Sequence, residues 1–461
     1  MDICKKSCTF AVQITKDVKM ETICAIATAY GQSGIAVIRV SGEDAIRVTD
    51  GLFAGRRRLA ETAGGQIVFG KIRRGDEVLD EVLASVFRAP HSYTGEDVVE
   101  ISCHGSVYIQ EKLLEWLIES GCRMARGGEF TQRAFLNGKM DLAQAEAVAD
   151  LIAAQSKAEK DLALSQLRGS VSKEIKQLRE RLLEFTSLIE LELDFADHEE
   201  LEFADRSELK ALAEEISATL EKLTGSFKSG NAIRHGIPVA IAGAPNAGKS
   251  TLLNALLGEE RAIVSDIQGT TRDTIEDSVT IDGILFRLTD TAGLRKTEDQ
   301  LEQMGIARSQ QAARKAQIIL YVIGDWENEE MQLDETDIHG TIIRVYNKAD
   351  LAHNAGIQPR EGICISAKEG KIEPLKEELV RLSHEMIHPS GVMISNARHY
   401  EALLRALEAI RRVKEGLAEG LSGELLSMDL QDCLEALGEV TGRISSQEVL
   451  NTIFSKFCIG K

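Results

Sequence analysis

The 461-residue sequence predicts a multidomain chain: an α+β N-terminal domain, an all-α helical domain, and an α/β domain of P-loop, Ras-like type inserted into the helical one. Three observations predict it. The texture passes from short β-rich runs to 3.6-residue periodicity near residue 140, to alternating strand and helix patterns near 236, and back to helical periodicity near 385. A glycine-rich phosphate-loop pattern follows the first strand of the third stretch. Composition agrees, since 5% aromatic residues and six prolines favour helices and an α/β unit over sandwiches or barrels.

Residues 1–19 read as a possible N-terminal extension. Lys5, Lys6 and "CTFAV" are followed at once by Lys16, Asp17 and Lys19, without a small-residue cleavage site, so no signal peptide is predicted. Met20 before "ETICAIAT" looks like a natural start. In 20–139, "GIAVIRVSG", "GGQIVFGKI" and "DVVEISCHG" predict strands, and "VYIQEKLLEWLIESG" predicts an amphipathic helix ended by Gly121. Helical periodicity then runs through "LAQAEAVADLIAAQS", "VSKEIKQLRERLLEFTSLIELELDF" and "SELKALAEEISATLEKL", which makes 140–235 the first part of the helical domain. Strand-like "VAIAG", "LFRLTD", "QIILYVIG", "TIIRVYNK" and "GICISA" alternate with helices over 236–384 and predict a parallel sheet. Residues 385–461 return to Leu-, Ala- and Glu-rich helices, the second part of the helical domain, and carry the terminal "FCIGK".

A formal net charge of −19 excludes a broad basic surface for nucleic acid, so any RNA contact is local or shared with a partner. No window of about 18 apolar residues exists, so no membrane span is predicted. Eight cysteines at irregular spacing form neither a zinc pattern nor a disulfide framework and indicate a reducing compartment, read as cytoplasm.

"GAPNAGKS" at 243–250 fits the phosphate-loop pattern, with an apolar strand before it and "TLLNALLG" after it. Its backbone N–H groups can converge on phosphate oxygens, Lys249 can neutralise the β and γ phosphates, and Ser250 can ligate Mg²⁺. "GTTRD" at 269–273 offers Thr271 as a second hydroxyl ligand for Mg²⁺. "DTAG" at 290–293 places Asp290 at a strand end for the magnesium shell and Gly293 for the γ-phosphate. "NKAD" at 347–350 supplies Asp350 to accept from guanine N1–H and the 2-amino group, donors that adenine lacks in that arrangement, so GTP is selected. "SAK" at 366–368 can offer a backbone N–H to guanine O6. Each short motif alone is weak, but the five in this order predict a GTPase domain. The nucleotide site is accordingly assigned to Asn246, Ala247, Gly248, Lys249, Ser250 and Thr251; to Ser265, Asp266, Ile267, Gln268, Gly269, Thr270 and Thr271; to Asp290, Thr291, Ala292 and Gly293; and to Asn347, Lys348, Asp350, Ser366, Ala367 and Lys368.

One component is missing. Ras-class GTPases carry Gln after D-x-x-G to orient the attacking water, and here that position is Leu294, which cannot. Another residue, a cation or a partner must complete the site. The amide of Asn246 could ligate potassium beside the phosphates, or it could only shape the loop.

Together, "YTGEDVVEISCHG", "GEFTQRAFLNGKMDLAQAEAVADLI", "GAPNAGKSTLLNALLG", "DIQGTTRDTI", "DTAGLR" with "LEQMGIARS", and "FCIGK" resemble the tRNA-modifying GTPases of the MnmE (TrmE) family, over Met20 to Lys461. The resemblance implies a homodimer formed through an N-terminal domain that resembles folate-binding enzymes and holds 5,10-methylenetetrahydrofolate or 5-formyltetrahydrofolate. It implies a flavin-binding partner, MnmG (GidA), which carries FAD, in a heterotetramer. The implied reaction adds an aminomethyl-type group, such as carboxymethylaminomethyl, to C5 of the wobble uridine of certain tRNAs. Arg39, Glu100 and Lys139 match folate-contacting positions, with Lys461 contributing from the C-terminus. Asn246 matches a potassium ligand, joined by backbone carbonyls of Ser265, Ile267 and Thr270, and Glu302 matches the residue that orients the catalytic water. The sequence departs from the family at "YGQSG" (30–34), where Gln32 stands in place of an Arg.

A rival reading is a ribosome-assembly GTPase of the Era or EngA kind, which shares the apolar residue after D-x-x-G but usually carries a basic RNA-binding domain. A signalling switch would leave 20–139 and Cys458 without a role. Cys458 lies between Lys456 and Lys461, and cations favour the thiolate, so a chemical role at uridine C6 or the one-carbon unit is expected, carried there by a flexible terminus. The alternative for Cys458 is packing of the last helix.

Overall fold

The computed structural model describes residues 21–194, 206–259, 276–290, 311–326, 338, 340–351, 361–386, 391–443, 447–455, 457 and 460. They form two compact units. One comprises the described residues of Met1–Ala149, Ile175–Glu184 and Gln431–Lys461, and the other those of Asp150–Glu174 and Phe185–Leu430.

The first unit is built on seven strands: β1 (Ile23–Ile26), β2 (Ser33–Ser41), β3 (Phe53–Gly55), β4 (Gln66–Arg74), β5 (Glu77–Phe87), β6 (Val98–Gly105) and β7 (Arg123–Met124). They lie in the order β3-β4-β5-β6-β2-β1-β7, antiparallel except for the parallel β1–β7 pair. Alternation along the central pair decides which side chains meet the core. Ala36, Ile38 and Val40 of β2 and Val99, Ile101 and Cys103 of β6 are buried with Val48, Leu113, Trp116 and Leu117 of the helices Ala45–Leu52 and Val107–Glu119. Arg39 and Glu100, directly opposed in the same register, belong to the other face. Strand β5 is not among the runs that the sequence predicts, although it spans 11 residues. Its Glu77, Asp80 and Glu81 dilute the apolar pattern, and pairing with β4 and β6 on both sides supplies the stability that composition does not.

The end of the chain belongs to this unit. Leu450, Phe454 and Phe457 pack with Leu142 and Ala145 in one apolar cluster. A Cβ on Gly128, which has φ 69°, would lie 2.5 Å from the Phe454 carbonyl oxygen, and one on Gly460 would lie 2.2 Å from that of Ile26. Glycine is therefore required at both close approaches. Phe457 and Gly460 are buried, Phe457 by apolar packing and Gly460 against the Ile26 carbonyl at the end of β1; the expectation of a flexible terminus carrying Cys458 falls on residues outside the described ones.

The second unit holds a six-stranded sheet of β8 (Ile237–Ala242), β9 (Glu276–Ile281), β10 (Ile284–Asp290), β11 (Ile318–Ile323), β12 (Thr341–Tyr346) and β13 (Ile363–Cys364), ordered β13-β12-β11-β8-β10-β9. Five strands are parallel. These are the five strands that the sequence predicts; β9, which it does not predict, is antiparallel because Asp282 (φ 49°) and Gly283 (φ 76°) close a two-residue hairpin onto β10. Strand β11 is buried at every position, as a central parallel strand covered on both faces must be. Helices Lys249–Glu259 and Glu373–Met386 pack on one face through Leu252, Leu256, Leu375 and Leu379, and Leu162, Ala232 and Ile233 of the helices Lys157–Leu167 and Phe227–His235 join that core. The helices Arg206–Gly225 and Ala397–Glu419 present buried Leu209, Ile216, Leu220, Leu403, Leu407 and Ile410 at 3.6-residue spacing. Among the described residues, no helix is long and apolar enough to cross a membrane.

Candidate functional site

The phosphate loop connects β8, which is central in the sheet, to the helix that starts at Lys249. Its backbone is forced by crowding. Gly243 has φ 142° and a Cβ there would come within 2.2 Å of the Val322 carbonyl oxygen; Gly248 has φ 97° and a Cβ there would meet Asn347 Nδ2 at 2.2 Å. Asn246 takes the left-handed conformation (φ 61°), which Asn tolerates better than most residues. The Lys249 ammonium donates to the carbonyl oxygens of Gly243 and Ala244, both at 2.8 Å, so it lies inside the loop's curve. Ala247 is buried, while Asn246, Ser250 and Thr251 are exposed. A cradle closed to any side chain, lined by amides at a helix N-terminus and holding one cation, fits a polyphosphate.

Asn347 joins the loops that sequence reads separately. It is 2% exposed; its Nδ2 donates to the Ala247 carbonyl oxygen (3.0 Å) in the phosphate loop, and its Oδ1 accepts from the Ala367 N–H (3.1 Å) in the "SAK" segment. The Ser366 hydroxyl donates to Asp350 Oδ1 at 2.8 Å, which holds that carboxylate in place, and Lys348 sits between them with φ 64°. The motif residues Asn246–Thr251, Asn347–Asp350 and Ser366–Lys368 thus meet at one end of the parallel strands, where α/β sheets bind ligands. Asp290 ends β10. Ser265, Asp266, Ile267, Gln268, Gly269, Thr270, Thr271, Thr291, Ala292, Gly293 and Glu302 lie outside the described residues.

In the first unit the structure brings Arg39 and Glu100 into contact, with Arg39 Nε donating to Glu100 Oε1 at 2.8 Å. Residues that sequence reasoning missed surround the pair. The Arg39 guanidinium lies over the rings of Tyr93 (5.2 Å) and Phe130 (5.5 Å), and its Nη1 donates to the Gly460 carbonyl oxygen at 3.3 Å. Burial raises the Tyr93 phenol above its ordinary range, so it stays protonated, and its hydroxyl pairs with Thr131. Lys139 is not joined to Arg39; it is exposed and donates to the Pro90 carbonyl oxygen at 2.9 Å, holding the loop that carries Tyr93. Phe130 and Thr131 stand on the helix Glu129–Leu136, fixed by ion pairs of Glu129 with the half-buried Arg123 (2.6 Å) and the buried Arg133 (3.1 Å). Burial pushes the Glu129 carboxyl up, but the two arginines outweigh it and hold it below the ordinary carboxylate range. Cys458 and Lys461 lie outside the described residues. Of the last residues, Gly460 meets Arg39 through its carbonyl oxygen.

A Ras-like strand order, a phosphate loop on the central strand and the Asp350 carboxylate held by Ser366 at the same end of the sheet define the class: a P-loop GTPase. Around that domain, residues 22–139 match the family model described as the GTP-binding protein TrmE N-terminus, and residues 142–458 match the MnmE helical domain. The tRNA modification GTPase MnmE of Parabacteroides distasonis is 52% identical over 96% of this chain and 100% of its own length. That of Bacteroides thetaiotaomicron is 50% identical over 96% and 99%, and that of Flavobacterium johnsoniae 46% over 96% and 100%. The chain belongs to the tRNA modification GTPase MnmE family, and it is a GTPase acting in tRNA modification. Among solved structures, Aquifex aeolicus Era Y63A bound to GDP·AlF4⁻ is 27% identical over 37% of this chain and 65% of its own, with a TM-score of 0.23. The FeoB G domain from Methanococcus jannaschii is 24% identical over 32% and 96%, with a TM-score of 0.24.

Proposed function

We propose that this chain is a potassium-dependent GTPase that, as a homodimer and with the flavin-binding partner MnmG, modifies C5 of the wobble uridine of certain tRNAs by using a tetrahydrofolate one-carbon donor, in the cytoplasm. The observation that carries the reading is the convergence of Arg39, Glu100, Tyr93, Phe130 and Gly460 on one sheet face. A carboxylate there suits the N–H donors of a pterin ring, the aromatic rings suit stacking, and the cations Lys139 and Lys461 suit the folate glutamate carboxylates. The same face, farther along β4 and β5, exposes Ile67 (65%), Phe69 (61%) and Leu83 (46%), an apolar strip that favours a second copy of the chain. The bound donor would supply the carbon unit; the chain's own residues would hold it beside Cys458.

The domains proposed are 20–139 for folate and dimerisation, 140–235 with 385–461 for the helices, and 236–384 for GTP. Within the last, Ser250 and Thr271 hold Mg²⁺ and Asp290 its water shell. Asn246, with carbonyls of Ser265, Ile267 and Thr270, holds K⁺. Because the Ala367 N–H is taken by Asn347 Oδ1, guanine O6 falls to the next amide, that of Lys368.

Replacing potassium by sodium is expected to lower GTP turnover about tenfold, because Leu294 orients no water and sodium is too small for the same carbonyl set. Equal steady-state rates in the two salts would remove potassium from the mechanism. The function itself is tested by mass spectrometry of wobble uridines from cells lacking this protein; unchanged nucleosides would sink it. In the same cells Cys458→Ser is expected to restore GTP hydrolysis but not full modification. Cys103, buried in the first unit's core, is a poor nucleophile, burial raising its thiol to about 11. Complete modification by the Cys458→Ser protein would reduce its thiol to packing.

A further inference from the structure

We infer that Trp326 is a positioning residue for the guanine side of the GTP site, acting through the backbone carbonyl of Asn347. Trp326 lies three residues past the end of β11, outside every nucleotide-binding motif, and is 7% exposed. Its indole Nε1 donates to the Asn347 carbonyl oxygen at 2.8 Å, and its ring meets that of Tyr346 edge-on, with centroids 5.5 Å apart at 74°.

That carbonyl belongs to the peptide entering Lys348, whose φ of 64° is a conformation that an L side chain leaves unless its neighbours hold it. Three hydrogen bonds bracket the turn: Asn347 N–H to the Ile323 carbonyl (2.9 Å), Trp326 to the Asn347 carbonyl, and Ala349 N–H to the Ile365 carbonyl (3.0 Å). The first and third are backbone bonds of the sheet ends; the second alone comes from a side chain. Releasing it strands a buried acceptor and frees the peptide that aims Asn347 at Ala247 and Ala367. Gly324, between β11 and Trp326, is where the pieces meet: a Cβ there would lie 2.7 Å from Ala247 Cα and 3.2 Å from Lys348 Nζ. A shift at Trp326 therefore reaches both the base side and the phosphate loop. The inference concerns the GTP site alone and stands apart from the wobble-uridine reading.

The chain has two tryptophans, and the other, Trp116, is buried in the core of the first unit. In the full-length Trp116→Phe protein the indole emission is that of Trp326, and it is expected to shift in wavelength or intensity as GDP is titrated. Trp326→Phe keeps a ring but removes the N–H, and is expected to raise the Kd for GDP and the KM for GTP about tenfold, with a much smaller change in kcat. Should Trp326→Phe fail to fold, biosynthetic replacement of the single indole of the Trp116→Phe protein by benzothienylalanine, the same shape with sulfur for N–H, decides the matter. GDP affinity within twofold of the parent in that protein, or emission unmoved by saturating GDP, overturns the inference. The tenfold loss with retained kcat supports it, since a packing defect alone would leave the isosteric analogue unaffected.

Discussion

Replacing Asp350 by Asn is expected to weaken GTP and GDP binding by about 10³-fold, equivalent to about 4 kcal/mol. A carboxylate offers two acceptor oxygens to the two adjacent donors of guanine, N1–H and the 2-amino group, and charge strengthens both bonds. Ser366 already holds Asp350 Oδ1 at 2.8 Å, so the group has little freedom to reorient when one oxygen becomes an NH₂. That NH₂ would then oppose a donor of the base, and sites built around hydrogen bonds reject mismatched partners by factors of up to about 10⁴ to 10⁵. Xanthine carries an oxygen where guanine carries the 2-amino group, so xanthosine nucleotides should bind the variant better than guanosine nucleotides do. The phosphate loop is untouched by the change, because its contact with the base side runs through Asn347. Calorimetric titration with GDP and with xanthosine diphosphate checks this; an unchanged preference for GDP would take Asp350 out of base recognition.

Glu302→Ala is expected to leave GTP affinity intact and to lower turnover at saturation on the order of 10²-fold or more. The reason is the identity of residue 294, a leucine where a water-orienting glutamine is otherwise used. Some polar group must hold the attacking water in line, and a carboxylate that does so acts in the transition state and scarcely in the ground state. Its loss therefore appears in kcat. Single-turnover hydrolysis beside nucleotide affinity separates the two quantities, and a variant that binds GTP weakly but turns it over at the parent rate would refute the assignment.

The phosphate loop, the "NKAD" motif and the resemblance to the MnmE family were all legible in the sequence, because each is written in contiguous residues whose spacing is itself the chemistry. Gly243, Lys249 and Ser250 fall within eight positions. A loop between a strand and a helix folds much the same way wherever it occurs. Strands β2, β4 and β6 were legible for a related reason, since one apolar face writes a period of two into the chain. Strand β5 was not, because pairing on both sides stabilises charged positions that composition counts against it.

What only the tertiary structure decided are the pairings between distant segments. Arg39 meets the Gly460 carbonyl across 421 positions, and nothing in "IRVSG" or "FCIGK" alone specifies that Gly460 is buried beside the first strands. Tyr93 and Phe130 read as ordinary aromatic residues until the helix Glu129–Leu136 is clamped by Arg123 and Arg133 and sets them around the guanidinium. Asn347 reads as one letter of a motif until its amide is seen to bridge Ala247 and Ala367, and Trp326 carries no motif at all. Local spacing determines which groups can do the chemistry. Burial determines which distant donors and acceptors must find each other, because a polar group removed from water needs a partner wherever in the chain that partner lies.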